Sequence, residues 1–324
     1  MRRRDDLLRN SLALSSWSAY RSAWRSYSRT LATIGIHNVL PLQEPHLELY
    51  VAAVSHRLSA KAINSYLSGI KFIHVFAGFS LDGLFGERLV KIKRGVKRAQ
   101  GSSMTRPKRL PITVEDLHDL LHFVARSFSA HDVALFSAAF LLAFFGMLRV
   151  SEFVCPASGF FDPALHLSLS DISFESVRSR SFLAVHLKVS KSDPFREGVV
   201  VRVAFTSGAL CPGQALRSYL AFRQPLGPGP LFILSNHQFL TRSHIVQMLG
   251  RTFPEVPQGL LGSHSFRIGG ATRLCVLGVP DATIQILGRW KSDAFKQYLR
   301  LSARYVASLH FRMAAPDVDP PGQV

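Results

Sequence analysis

A chain of 324 residues that is 47% hydrophobic can bury real cores, and its length fits two domains better than one. Its 39 Lys and Arg stand against 21 Asp and Glu, a formal charge of +18 that favours a polyanionic partner, nucleic acid ahead of a membrane surface. The three cysteines, Cys155, Cys211 and Cys275, lie far apart with no CxxC pair; this speaks against a disulfide framework or a cysteine zinc site and fits a reducing compartment.

The opening "MRRRDDLLRNSLALSS" has two aspartates and no long apolar run, so it makes a poor signal peptide. Residues 15–34 read as an amphipathic helix. Trp17, Tyr20, Trp24, Tyr27 and Leu31 recur at three- and four-residue spacing as a core face, with Arg21, Arg25 and Arg29 on another. Those arginines have no acidic partner four residues away, so the row reads as phosphate contacts. Helical patterns follow at about 44–57 and 60–77. In "GERLVKIKRGVKRAQG", Arg88, Lys91, Lys93, Arg94, Lys97 and Arg98 meet one acid, Glu87, and the stretch runs into the Ser/Pro/basic "SSMTRPKRLP". The reading is a helical DNA-gripping domain at 1–100 and a basic linker at 101–110. A solvated face turned away from DNA is the plainer alternative for the same charges.

The second domain, 111–313, opens on "TVEDL", where Thr113 and Asp116 form a capping-box pattern with Asp in place of Glu. The apolar segment "VALFSAAFLLAFFGML" has 16 residues between Asp132 and Arg149. A membrane span needs about 20, so this segment is predicted to be a buried core helix ending at Arg149. "SFLAVHLKVS" and "GVVVRVAF", joined by "KSDPFRE", carry the β-branched and aromatic content of a hairpin. Helical patterns resume after Pro212 and run to about 312. The Pro-rich tail, 314–324, has no Lys or Arg and reads as disordered. The expected fold is mainly α with one small antiparallel β-sheet.

Cutting a DNA strand needs either carboxylates holding two divalent ions, or a nucleophile, cations for the charge on phosphorus and an acid for the leaving oxygen. The acids of the second domain fall mostly at caps and turns (Asp116, Asp162, Asp193, Asp281), so no metal and no cofactor is expected. Arg149 in "FFGMLRVSEF" has Glu152 three residues on to hold its guanidinium. Arg267 in "HSFRIGG" is one helical turn after His264, which would aim both at one phosphate. Two arginines suit that task, as planar bidentate donors that stay charged. A tyrosine hydroxyl, with a pKa of about 10, attacks poorly unless cations stabilise the phenolate, and Tyr298 follows these groups. Tyr305, seven residues later, is its rival. Trp290 can offer its indole N–H to a phosphate oxygen. Lys191, at the hairpin tip, can protonate the leaving 5′ oxygen, and Lys188 competes for that role.

"RVSE", "KVSKSD", "HSFR", "GRW" and "YLR" stand in this order. In that order the chain resembles the tyrosine recombinase (phage integrase) family over nearly its whole length. "HSFRIGGAT" and "LGRWKSDAFKQYLR" look most like eukaryotic DIRS-like and Crypton-like mobile-element recombinases. The Trp290-to-Tyr298 interval is one residue shorter than in bacterial and phage relatives. The resemblance implies a C-shaped clamp on double-stranded DNA, with a helical N-terminal domain and an α-rich catalytic domain. Tyr298 would join a 3′ phosphate and release a 5′ hydroxyl, needing neither ATP nor metal, in DNA recombination and integration of a mobile element. It also implies tetramers on paired sites that exchange a C-terminal segment, for which 300–313 is the candidate. No membrane association is implied, and the location is nuclear if the source is eukaryotic and otherwise cytoplasmic. Two other readings share the pattern: a type IB topoisomerase, and a domesticated DNA-binding protein that no longer cuts.

Overall fold

A glycine decides how closely the first long helices approach. α1 (Arg2–Asn10) is followed by α2 (Leu14–Ala32), α3 (Glu44–Val54), α4 (Ala60–Phe76) and α5 (Glu87–Gln100) in the computed structural model, which describes residues 2–12, 14–104, 107–190, 193, 195–300, 305–307 and 310–311. A Cβ on Gly69 of α4 would lie 2.9 Å from the Tyr20 ring, so α2 and α4 touch where that side chain is missing. Trp17 then meets Phe72 and Phe76 edge-on at 5.3 and 5.4 Å. Tyr27, Leu31, Leu47, Tyr50 and Val51 close the core, as the three-and-four spacing predicts. Arg21, Arg25 and Arg29 are exposed on the other face.

α5 buries Leu89 and exposes Lys91, Arg94, Lys97 and Arg98. Its end is tied down by Gln100, whose amide donates to the Ser55 and Leu58 carbonyls at 2.8 Å and accepts from the Ala60 N–H at 2.9 Å. Arg88 pairs with Glu48 at 3.0 Å, an acid on another helix that the local charge count could not supply, and Lys91 reaches Glu87 at 3.9 Å.

The chain divides into two units, Met1–Arg106 and Pro107–Val324. The second begins with α6 (Val114–Ser127), capped as expected: the Asp116 N–H donates to Thr113 Oγ1 at 3.1 Å and the Thr113 N–H to Asp116 Oδ2 at 2.8 Å. α7 (Ala130–Phe145) is buried almost along its length and lies at the heart of this unit's core. Among the described residues no helix is long and apolar enough to cross a membrane.

The apolar helix does not run to Arg149. It stops at Phe145, with Gly146 as C-cap, and Met147 turns into the left-handed region at φ 43°. Arg149 instead stands at the N-cap of a one-turn helix, α8 (Val150–Phe153), so it is not a C-terminal cation of α7.

β1 (Ile172–Val177), β2 (Arg180–Leu187) and β3 (Val199–Ala204) form an antiparallel sheet in the order β1-β2-β3. Leu183 pairs with Val203 and Val185 with Val201, and all four are buried. The sequence reading anticipated the β2–β3 pair; β1 is an addition to it. Helical structure then resumes only in part. α9 (Pro212–Arg223) and α10 (Arg242–Thr252) are separated by a loop held by Arg223, which donates to the carbonyls of Gly227, Pro230 and Leu231.

α11 (Ser265–Val276) approaches α7 with no room to spare. A Cβ on Gly269 would fall 1.9 Å from the Ile112 carbonyl oxygen, and one on Gly270 would fall 2.6 Å from that of Phe144. The "RIGG" pair therefore brings α11 against the end of α7, which Arg149 follows closely. α12 (Asp281–Leu287) comes next, and Tyr298 closes a 3-10 turn (Asp293–Tyr298), where the helical pattern running to about 312 leads one to expect α-helix. The tail 314–324 lies outside the described residues, as does much of 300–313.

Candidate active site

Glu152 is the hub. Its side chain is 1% exposed, and both oxygens are occupied. Oε1 accepts from Arg149 Nη1 at 2.8 Å and from the Ser190 hydroxyl at 2.9 Å. Oε2 accepts from the Arg149 backbone N–H at 2.8 Å and from Arg289 Nη2 at 2.9 Å. Burial by itself would push this carboxyl's pKa up. The charge of Arg289, the Arg149 N–H and the Arg149 guanidinium outweigh it, holding the group below the usual glutamate range.

Arg149 Nη1 also meets Ser190 Oγ at 2.9 Å, so one guanidinium is fixed by a carboxylate and a hydroxyl from different parts of the chain. Its side chain keeps 14% exposure, enough to present charge at the surface of the site. Ser190 is buried, and its carbonyl accepts the Asp193 N–H at 2.9 Å. Lys191, the next residue, lies outside the described residues. Asp193 is a turn residue whose carboxylate accepts the N–H groups of Glu197 and Gly198.

Lys188 is committed elsewhere. Its ammonium pairs with Asp171 at 2.6 Å and donates to the carbonyls of Pro163 at 2.7 Å and His166 at 3.2 Å. A cation with that set of partners braces the start of the sheet.

Arg267 is fully buried. Its two terminal nitrogens donate to the carbonyls of Met147 and Gly288, and its guanidinium carbon lies 4.1 Å from the Trp290 ring centroid. A desolvated cation on an indole face is worth about 2 kcal/mol, which helps hold this charge inside. The ring can fold back so far because position 288 is glycine: a Cβ there would fall 1.5 Å from the indole. The Trp290 ring lies against that guanidinium, while two turn carbonyls accept from its terminal nitrogens. His264, half-buried, occupies the N-cap of α11.

Arg289 is the residue the sequence reading missed. It adopts φ 58°, its side chain is 11% exposed, and it bonds Glu152, the Gly146 carbonyl at 3.1 Å and the Met147 carbonyl at 3.2 Å. The Met147 carbonyl thus accepts from both Arg267 and Arg289. Arg149, Glu152, Ser190, Arg267, Arg289 and Trp290 form one connected network of three guanidiniums and one carboxylate. Phe295 is buried against Trp290, with ring centroids 5.8 Å apart, and the Arg300 N–H donates to Thr272 Oγ1 of α11 at 3.2 Å. The backbone of Tyr298 lies between those two anchors; its side chain lies outside the described residues. Among the described residues no three His, Cys, Asp or Glu gather as metal ligands would.

The fold has counterparts among solved structures. XerH site-specific recombinase bound to palindromic difH substrate, in a post-cleavage complex, matches with a TM-score of 0.58 at 15% identity, covering 89% of this chain and 76% of that one. The Tn1549 transposon integrase in complex with transposon right end DNA matches with a TM-score of 0.58 at 15% identity, covering 95% and 96%. A lambda integrase dimer bound to a COC′ core site matches with a TM-score of 0.55 at 16% identity, covering 92% and 75%. At these identities the likeness is one of fold, and the chain has the tyrosine recombinase fold. No protein-family model matches the chain, and no curated protein does.

Proposed function

We propose that the protein breaks and rejoins DNA strands as a tyrosine recombinase, through a covalent 3′-phosphotyrosine intermediate. The observation that carries the reading is the Glu152 network. It gathers Arg149, Arg267 and Trp290 from distant parts of the sequence, on a fold whose solved counterparts include DNA-bound recombinases.

In this reading the Tyr298 oxygen attacks the phosphorus as its hydroxyl proton passes to solvent, and the bond to the 5′ oxygen breaks as that oxygen takes a proton from Lys191. Arg149 holds a non-bridging oxygen by charge-assisted hydrogen bonds. Arg267 adds positive charge from within the low-dielectric interior. His264 and Trp290 supply further donors. The 5′ hydroxyl of a second strand then attacks the phosphotyrosine and restores both groups. The N-terminal unit contacts backbone phosphates through Arg21, Arg25, Lys91, Arg94, Lys97 and Arg98. The setting is a mobile element of DIRS-like or Crypton-like kind, with the protein acting in the nucleus as a tetramer on paired sites. The domain limits fit this assignment: 1–100 for grip, 101–110 as linker, 111–313 for chemistry. The direct test is trapping. Incubation with a nicked candidate site in excess EDTA should give a covalent protein–DNA adduct; no adduct on any DNA, or one only with magnesium, overturns the reading.

Two further results are expected. A general acid matters only for a poor leaving group, so replacing the 5′ bridging oxygen by sulfur should restore cleavage to Lys191→Ala but not to Arg149→Ala. Lys188→Ala should lose stability, through Asp171, without selective rescue by sulfur. Sulfur rescue of Lys188→Ala, with Lys191→Ala near normal, would transfer the acid role.

Changing Lys91, Arg94 and Arg98 to Ala should flatten the slope of log affinity against log salt by roughly 1 to 3 units, since each lost phosphate contact removes about 0.9. Arg88 is left out of that set because the largely buried Glu48 engages it at 3.0 Å, whereas the Lys91–Glu87 pair is exposed on both sides and looser, at 3.9 Å. An unchanged slope in a folded triple variant would assign those residues to a solvated face.

A further inference from the structure

We propose that Arg289 is a positioning residue: it fixes Glu152, and through Glu152 the phosphate-binding guanidinium of Arg149. The inference rests on the function proposed above. Three observations carry it. Arg289 binds Glu152 Oε2, which leaves Oε1 to Arg149 Nη1 and the Ser190 hydroxyl. It also binds the Gly146 and Met147 carbonyls, in the turn that leads directly into Arg149. One planar fork therefore fastens both the carboxylate that holds Arg149 and the backbone from which Arg149 projects.

The backbone conformation points the same way. Arg289 sits at φ 58° and Met147 at φ 43°, left-handed values that non-glycine residues avoid. Such conformations persist where the surroundings over-determine them, and they gather at functional sites. Here the two residues are bonded to each other, Arg289 Nη2 to the Met147 carbonyl. Because Arg289 directly precedes Trp290, the same contacts tie the loop carrying the indole, and beyond it Tyr298, to the turn carrying Arg149. Arg289 thus couples the two ends of the site.

The charges around Glu152 make this testable. Arg149 at the head of α8 and Arg289 in the loop after α12 face its carboxylate, with the Ser190 hydroxyl beside them. Glu152 must be ionised to hold Arg149. Removing the Arg289 charge makes ionisation harder, so the acid limb of the cleavage profile should move to higher pH.

The experiment compares wild type, Arg289→Met and Arg289→Lys in single-turnover adduct formation across pH, with DNA affinity measured separately. Arg289→Met should cut the rate by about 10²-fold, as expected for a misplaced catalytic group. It should do so at unchanged DNA affinity, with the acid limb raised. Arg289→Lys keeps the charge but cannot span all three acceptors. It should therefore restore the acid limb and recover the rate only in part. A folded Arg289→Met with wild-type rate and unmoved limb overturns the proposal, as does equal loss of rate and affinity with the limb unmoved. If Arg289→Met does not fold, the Lys variant decides, and wild-type rate there overturns it. An NMR titration of the Glu152 carboxyl reads the clamp without DNA: its midpoint must rise on loss of the Arg289 charge. An unmoved midpoint defeats the proposal even if DNA is cut, whereas a wild-type protein that forms no adduct defeats the proposed function alone.

Discussion

Tyr298→Phe should reduce covalent adduct formation to background while leaving DNA affinity unchanged. The substitution removes one oxygen, the atom that would bond to phosphorus, and leaves the ring. The turn is fixed on both sides of this residue: Phe295 is buried before it, and the Arg300 N–H is fastened to Thr272 after it. Those anchors hold the 3-10 turn that ends at Tyr298 against α11, the helix that carries Arg267. An unassisted phenol, with a pKa of about 10, is nearly all protonated at neutral pH, so attack calls for cations that stabilise the phenolate. Tyr305 lies beyond both anchors, on a separate helical turn, and Tyr305→Phe should keep the adduct. Gel separation of denatured complexes on a nicked site measures both. An adduct that survives in Tyr298→Phe and vanishes in Tyr305→Phe would move the nucleophile to the later tyrosine.

What the sequence revealed, and what it hid, follows from the range of the interactions involved. The aromatic spacing of α2, the Thr113–Asp116 cap and the β2–β3 hairpin are local patterns, and the structure has all three. Glu152 lies within one turn of Arg149, so that pairing too could be read from spacing. The end of α7 falls short of the expected Arg149 for a local reason: Gly146, directly after the apolar run of the helix, is a stop signal. Other failures are long-range. Lys188 and Asp171 pair across the approach to the sheet, and Arg88 finds Glu48 on another helix. Nothing in "GRW" announces that its arginine would turn left-handed and reach Glu152, 137 residues away in sequence. The burial of Arg267 depends on Gly288 letting the indole fold back, which only the packing discloses.

Glu152→Gln should cost both activity and stability, and the stability loss should fade in acid. The wild-type carboxylate neutralises two guanidiniums whose side chains are only 14% and 11% exposed. Breaking a buried pair by removing one partner costs about 3–5 kcal/mol, and the slight exposure of the arginines argues for the lower end. Burial disfavours ionised Glu152, but Arg289, the Arg149 N–H and the Arg149 side chain prevail, so its folded pKa lies below the unfolded value. A group shifted in that direction contributes its full stability above the unfolded pKa, about 4.3, and loses it as pH falls through the lower folded value. Urea unfolding at neutral pH should therefore separate wild type from Glu152→Gln by roughly 3 kcal/mol. The gap should narrow only once the pH drops below about 4, where the wild-type carboxyl also becomes neutral. Adduct formation should fall in the variant at every pH, because an amide keeps the shape but not the charge that orients Arg149. A gap that stays constant down to the acid range would mean that Glu152 acts through packing alone and not as the counter-ion of the site.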